Sequence, residues 1–353
     1  MKKDNYHIIG VMSGTSLDGI DLAEATFNYS EGKWNFKILK ARTIPYSSYW
    51  KNELREAINY SQEQLERLDF KYTEKLSEEI LGFIRRNNIQ EIDAICSHGH
   101  TILHQPEKGF TLQIGNLPRL AKLVFRTVVC DFRTQDVNLG GQGAPLVPIG
   151  DRLLFSEFDY CLNLGGFANV SSEVNGNRIA YDICPVNIVL NRYAEKLGKD
   201  FDEDGNWARS GSVNSKLLEK LNALPFYSET PPKSLGLEWV NKNIFPILDD
   251  VNSSSKDILR TFTEHIAMQL ANQFSEGASV LITGGGVYNS FLIERLKNLS
   301  AVTVIVPSSK LIEYKEALIF GLLGILKMRG EVNCLASVTG AKSNHSSGIV
   351  FSP

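Results

Sequence analysis

Residues 8–21 read Ile-Ile-Gly-Val-Met-Ser-Gly-Thr-Ser-Leu-Asp-Gly-Ile-Asp. The apolar run of residues 8–12 is a buried strand by composition. Ser13, Gly14, Thr15 and Ser16 make a bend, and Asp18-Gly19 lead into a second strand over residues 20–27. A bend built from hydroxyls and glycines suits phosphate: glycine lets the main chain come close, and successive N–H groups can then point at an anion. Asp18 and Asp21 beside those hydroxyls fit a metal–phosphate site better than a plain hairpin, which needs only two to five loop residues. The stretch is not a P-loop, because no G-x-x-x-x-G-K-[ST] occurs and no helical pattern follows.

Four other stretches could do chemistry. Gly140-Gly141-Gln142-Gly143-Ala144-Pro145 puts three glycines in four residues, which argues against a helix or strand interior. It reads as backbone approach to a ligand, as a hinge between domains, or as both. Gly284-Gly285-Gly286 follows a buried run and precedes a helix, so it is either a flat platform for a nucleotide or a tight strand-to-helix turn. Asp182 stands at the end of one apolar run and before a helical pattern. It is a general-base candidate or an anion placed to complement the helix dipole, and spacing does not separate the two. Glu313 and Glu316 open the last helical pattern, with the same pair of readings. His98, His100 and His104 have no cysteine or carboxylate at metal-ligand spacing. Hydrogen bonding to a sugar or a backbone carbonyl is the expectation for them.

The elements that must hold these residues recur. Residues 6–12, 20–28 and 34–44 read as strands, with a turn at Gly32. A long helix follows Ser61 and Gln64, which fit a capping box; Leu65, Leu68, Tyr72, Leu76, Ile80 and Phe83 share one face. Residues 92–96 form a short strand, 117–125 a helix and 127–130 a strand. The order then repeats: strands 160–164, 168–174 and 178–181, with an Asn-Gly turn at residues 175–176, and a helix over 186–197 closed by Gly198. A polar insert rich in Pro and Gly spans about 199–255. Then come a helix marked by Ile258, Phe262, Ile266 and Leu270, a strand at 280–283, a helix at 291–299, a strand at 302–306 and a helix at 313–328. Each copy runs its first strand into a glycine turn, Gly14 in one and Gly165-Gly166 in the other. This predicts an α/β protein of two duplicated ribonuclease-H-like domains of the actin/hexokinase/Hsp70 type, with a central cleft. The expected lobes are residues 1–132 plus about 338–353, and residues 133–337.

The 353 residues are 43% hydrophobic and 22% charged, with a formal charge of −3, an ordinary globular composition that gives no reason to propose nucleic acid or membrane partners. No signal-like apolar segment follows the N-terminus and no apolar run reaches the length of a membrane span. The five scattered cysteines form no C-x-x-C pair and read as buried thiols, so a cytoplasmic location is expected.

The bend at residues 10–21 resembles the signature of the anhydro-N-acetylmuramic acid kinase family. So, in order, do Cys130-Asp131-Phe132-Arg133, residues 140–148, residues 163–169, residues 283–289, Lys315-Glu316-Ala317 and Ser337-Val338-Thr339-Gly340-Ala341. The resemblance implies ATP, Mg2+, an amino-sugar substrate and a homodimer. In the implied reaction, water opens the 1,6-anhydro bridge of 1,6-anhydro-N-acetylmuramic acid while the γ-phosphoryl group passes to O6. It implies Asp182 as base and Glu316 as a second catalytic carboxylate. Ser13, Gly14, Thr15, Ser16, Asp18, Gly19, Asp21, Gly165, Gly166, Gly284, Gly285 and Gly286 would bind ATP, with Asp18 or Asp21 reaching Mg2+ through water. His98, Asp131, Arg133, Gln142, Gly143 and Asn187 would bind the sugar. Two places depart from the family pattern. Asp182-Ile183-Cys184-Pro185-Val186-Asn187 replaces Asp-Thr-Gly-Pro-Gly-Asn, and Leu237 stands where an arginine is expected before Glu238. Both departures bear on the sugar more than on the nucleotide. A kinase of the same fold on another sugar, and a catalytically silent nucleotide-binding homologue, are the alternatives.

Overall fold

Apolar alternation in the first 45 residues produces three antiparallel strands, β1 (Asn5–Ser13), β2 (Gly19–Ser30) and β3 (Lys33–Pro45). These come from a computed structural model, which describes residues 2–353. β4 (Ala94–Gln105) runs parallel to β1, and β6 (Val128–Cys130) parallel to β4. β5 (Phe110–Ile114) pairs with β4 from outside this path, and β12 (Ile349–Phe351) closes the far edge against β6. The helix Gln62–Asn87 covers one face. Ser61 caps it, in a capping box with Gln64, and its Leu68, Tyr72, Leu76, Ile80 and Phe83 share a core with Ile9, Val11, Ile20 and Leu22.

A second sheet has the same plan. β7 (Tyr160–Leu164), β8 (Phe167–Val174) and β9 (Asn177–Pro185) form an antiparallel meander. β10 (Ser279–Thr283) lies parallel to β7, and β11 (Thr303–Ile305) parallel to β10. The Asn175-Gly176 turn has both residues at positive φ, 50° and 78°, as a two-residue hairpin needs. Strand order is therefore β3-β2-β1-β4-β6 in one sheet and β9-β8-β7-β10-β11 in the other. The duplicated ribonuclease-H-like arrangement expected from the sequence is present in each unit taken by itself.

The units divide elsewhere than expected. The first comprises residues up to Leu154 with Tyr314–Pro353, and the second Phe155–Glu313. Residues 133–154 and 314–337, expected in the second lobe, join the first because their polar partners are there. Asp136 accepts from Thr339 and Gln142 donates to the Thr339 carbonyl, while Lys315, paired with Asp151 at 2.7 Å, ties the second segment to the first.

Four local differences accompany this. The strand expected at residues 92–96 continues to Gln105; Gly99, at φ 75°, sits where β4 shifts register against β1 between Ser97 and His100. Glycine and histidine had disguised that continuation as a loop. The helix Ser48–Glu56 lies where no helix was expected. The insert folds as short helices, including Ser215–Asn222, Leu237–Asn243 and Phe245–Asp249; their Leu217, Leu221, Val240, Ile244 and Leu248 are buried in the second unit's core. The last helix begins at Ser309, with non-helical angles at Tyr314, and runs to Arg329.

Candidate active site

In the first unit the hydroxyl bend joins β1 to β2. Ser13 is 2% exposed, and its hydroxyl is 2.6 Å from the Tyr46 hydroxyl and 2.7 Å from His100 Nδ1. Tyr46 in turn meets the Tyr72 hydroxyl at 2.6 Å. Burial lowers the His100 pKa to about 4, so this network holds a neutral imidazole. Ser13 thus faces inward as an anchor, while Thr15, Ser16 and Asp18 face solvent. The Leu17 N–H reaches the Gly14 carbonyl, and Leu17 takes φ 61°, which tightens the bend. Gly19 is required by a close approach: a Cβ there would sit 2.3 Å from the Ile44 carbonyl oxygen. Asp21 is half-buried and accepts from the Thr43 hydroxyl at 2.5 Å.

Arg133, Asp21 and Glu316 are electrostatic neighbours. Burial raises the Glu316 carboxyl, with Asp21 adding to the rise and Arg133 and Lys315 opposing it. The Glu316 side chain is nonetheless exposed to solvent. Glu313 lies in the segment that starts at Ser309, whereas Glu316 comes two residues after the non-helical Tyr314, in the first turn of the segment that continues to Arg329.

Burial lowers the Arg133 guanidinium to about 10. Its Nε donates to His98 Nε2 at 2.7 Å, and Nη1 donates to the Gly143 carbonyl at 2.6 Å. His98 Nε2 must then be the acceptor, which leaves the proton on Nδ1, 2.9 Å from the Gly99 carbonyl. Burial, with Arg133 next, holds the His98 pKa well below its ordinary value. Both ring nitrogens of His98 are engaged, so the expected sugar contact by His98 is corrected: it positions Arg133. His104 Nδ1 lies 3.1 Å from the Thr111 hydroxyl. Asp131 takes φ 56° and accepts from the Thr134 hydroxyl at 2.6 Å.

The loop of residues 140–145 lies inside the first unit and is pinned there. The Gly143 N–H donates to Asp136 Oδ2 at 2.7 Å, and the Gly141 position has no room for a Cβ, which would lie 2.2 Å from that oxygen. Gln142 points to solvent.

In the second unit the ends of β7 and β10 lie side by side. A Cβ on Gly284 would be 2.5 Å from Asn163 Oδ1, and one on Gly286 would be 2.8 Å from Leu164 Cβ. Gly284 also takes φ 85°. The Gly165 carbonyl accepts from the Asn187 N–H, and the Gly166 carbonyl accepts from Val186. Gly166 and Gly285 are exposed; a Cβ on Gly285 would meet nothing, and one on Gly166 only Ile188 Cβ at 3.9 Å. Such a platform outside the carboxyl ends of parallel strands is where α/β proteins take ligands.

Asp182 lies within β9, opposite Asn169 and next to the bulge between Ala168 and Asn169. The following helix starts only at Asn187, so the dipole reading of Asp182 also fails. Its Oδ2 accepts from the Leu235 N–H at 2.7 Å, and its own N–H donates to the Lys233 carbonyl. Burial raises its carboxyl above the ordinary value, partly offset by that N–H. Ile183, Cys184 and Val186 are 1%, 0% and 0% exposed and pack into the core. The Asp136 anchor, the Ser13–Tyr46–Tyr72–His100 network and the Leu235 N–H were missed. Each joins residues far apart in sequence and leaves no local pattern.

Two sheets sharing the core strand order, each with a glycine turn after its first strand, give a duplicated ribonuclease-H-like fold of the actin/hexokinase class. The family model for anhydro-N-acetylmuramic acid kinase matches residues 6–353. An anhydro-N-acetylmuramic acid kinase of Mannheimia succiniciproducens is 35% identical, covering 99% of this chain and 100% of its own length. One of Acinetobacter baylyi is 33% identical over 94% and 96%. A gluconate kinase structure from Lactobacillus acidophilus is also similar, at TM-score 0.43 and 12% identity, covering 98% of this chain and 93% of its own. The chain belongs to the anhydro-N-acetylmuramic acid kinase family.

Proposed function

We propose that this chain uses ATP and water to convert 1,6-anhydro-N-acetylmuramic acid to N-acetylmuramic acid 6-phosphate and ADP, a step of peptidoglycan recycling. Water attacks C1, the C1–O6 bond breaks, and O6 takes the γ-phosphoryl group. The water's second proton needs a base. Asp182 is the residue for that role: a half-buried carboxylate whose burial raises its proton affinity, held by a single N–H bond from Leu235. That observation carries the assignment, since general-base catalysis needs a fixed, ionised and moderately basic group.

On this reading Gly14, Thr15, Ser16 and Gly19 present backbone and hydroxyls to phosphate, with Ser13 fixing the bend from behind. Gly165, Gly166 and Gly284–Gly286 offer backbone to the nucleotide. Arg133, held by His98 and Gly143, supplies positive charge near Glu316, and Asp131, Gln142 and Asn187 are left for the sugar. Asp18 and Asp21 are hard oxygen donors, the type Mg2+ prefers, and would reach it through water beside the phosphates. When bound, the metal would neutralise phosphate charge. The cytoplasm is the compartment that ATP and a recycled sugar imply, and no helix among the described residues is long and apolar enough to cross a membrane.

The deciding experiment runs the reaction in ¹⁸O-water. Ring opening places solvent oxygen at C1 of the sugar phosphate; a kinase for an ordinary hydroxyl leaves none there. Asp182→Asn should lose about 10²–10⁴ in turnover while nucleotide affinity stays at the parental value. Parental turnover in that variant would remove Asp182 from the role.

A further inference from the structure

Asp136, Cys334 and His345 lie in the first unit, and each is at least nine-tenths buried, at 0%, 1% and 8% exposure. One ligand atom from each, Oδ1, Sγ and Nε2, falls within 4.8 Å of the others. Cys334 Sγ is 3.0 Å and His345 Nε2 3.5 Å from Asp136 Oδ1. Metal–ligand bonds of about 2.0–2.3 Å at tetrahedral angles place ligand atoms roughly 3.3–3.8 Å apart.

The backbone holds the set together. Cys334 and His345 face each other across a two-residue antiparallel bridge, with N–H to carbonyl bonds of 3.1 and 3.2 Å, so their side chains share a side. Asn333 pins the bridge, donating to the Leu323 and Ser347 carbonyls and accepting from the Ser347 N–H.

The imidazole supplies an independent observation. His345 Nδ1 is 3.0 Å from the Ser343 carbonyl, a contact that requires the proton on Nδ1. In the neutral ring Nε2 then presents a lone pair. It has no hydrogen-bond partner, and the nearest charged group is a carboxylate oxygen. Asp136 Oδ1 accepts from the Cys334 thiol and the Thr339 hydroxyl, so the unpartnered Nε2 lone pair is the buried group left to satisfy, and a cation in place of the thiol proton would meet it.

We infer that Asp136, Cys334 and His345 form a structural site for a borderline divalent transition metal, with Zn2+ as the natural occupant. One thiolate, one imidazole and one carboxylate is a zinc-type donor set, and thiolate disfavours Mg2+ and Ca2+. Binding forms metal–sulfur, metal–nitrogen and metal–oxygen bonds and releases the Cys334 thiol proton to solvent. The two anionic ligands balance the ion's charge, which lets it sit near the Arg133 guanidinium, itself electrostatically coupled to Cys334 and Asp136. The fourth position falls to water or to the Thr339 hydroxyl, 2.7 Å from the same Asp136 oxygen.

The test uses the full chain, stripped with a chelator and titrated with Zn2+ or Co2+. Bound metal is measured by mass spectrometry and thiolate-to-cobalt charge transfer by near-ultraviolet absorption. One metal per chain and a charge-transfer band are expected for the parent and for a Cys184→Ser control. Cys334→Ser should lose the band, and His345→Gln should weaken binding by more than the roughly 10–100-fold that outer-shell changes cost. A parent chain that takes up no Co2+ with a thiolate band overturns the site. A band that survives in Cys334→Ser also overturns it. Should either variant fail to fold, the parent spectrum alone decides.

Discussion

Asp182 is pulled two ways by its surroundings. Burial favours its protonated form, and the Leu235 N–H favours the carboxylate, with burial the larger effect. A base must be ionised, so the acid limb of kcat/KM should lie above the ordinary Asp value of 3.8 and move when Leu235 is replaced by proline, which removes the N–H. The same balance has a stability consequence of opposite sign. A carboxyl raised in the folded state costs stability once pH exceeds its unfolded value, and the cost grows until pH passes the folded value. Asp182→Asn should therefore melt higher than the parent at pH 7 and show no such gain at pH 3. Equal melting temperatures at pH 7 would contradict the raised carboxyl. Asp182 and the Ser13 bend were legible because each stood in a short motif. The neutral state of His98 was not legible: it depends first on burial and then on Arg133, 35 residues away.

At the scale of elements, close backbone contact fixes where the last helix lies. A Cβ on Gly10 would come within 1.9 Å of the Ala317 carbonyl oxygen, one on Gly321 within 2.5 Å of Ile8, and one on Gly324 within 2.2 Å of Cys96 Sγ. Ala317, Gly321 and Gly324 are spaced by four and three, so a strip of small residues lays the helix on β1 and β4. Gly10→Ala should cost at least about 1–3 kcal/mol in denaturant unfolding. It should also lower turnover, because Glu316 is carried on the same helix. In the second unit, Glu264 receives two bonds of 2.8 Å from Arg295 and one of 2.7 Å from Arg260. Burial pushes this carboxyl up, but the two arginines outweigh it and the net shift is downward. Its stabilisation is thus complete above the ordinary value of 4.5 and is lost as pH falls through the lower folded value. Glu264→Gln should lose about 2–3 kcal/mol at pH 7 and converge on the parent in acid. The strong periods of Gln62–Asn87 and Ser255–Ala271 made those helices readable. The insert's helices are five to eight residues long, too short for a period to emerge.

For the whole molecule, duplication is readable in the sequence because strand, turn and helix recur in the same order. The division into units is not. It depends on pairs such as Lys315–Asp151 and Thr339–Asp136, which no local pattern announces. Because the bend of residues 13–19 and the glycine platform belong to different units, nucleotide binding can be tested for each. ATP at about 100 times its Kd should add roughly 2.7 kcal/mol to the stability of whatever binds it. Hydrogen exchange should slow at both Gly14–Gly19 and Gly284–Gly286; slowing at only one would remove the other from the nucleotide site.

β12 contributes only three residues to its sheet, yet it shields the unpaired N–H and carbonyl groups of β6. Such a bare margin recruits strands from neighbouring chains. A chain shortened after Gly348 would expose that margin and become prone to clumping on expression, with its catalytic groups untouched. Solubility would then fail before chemistry does.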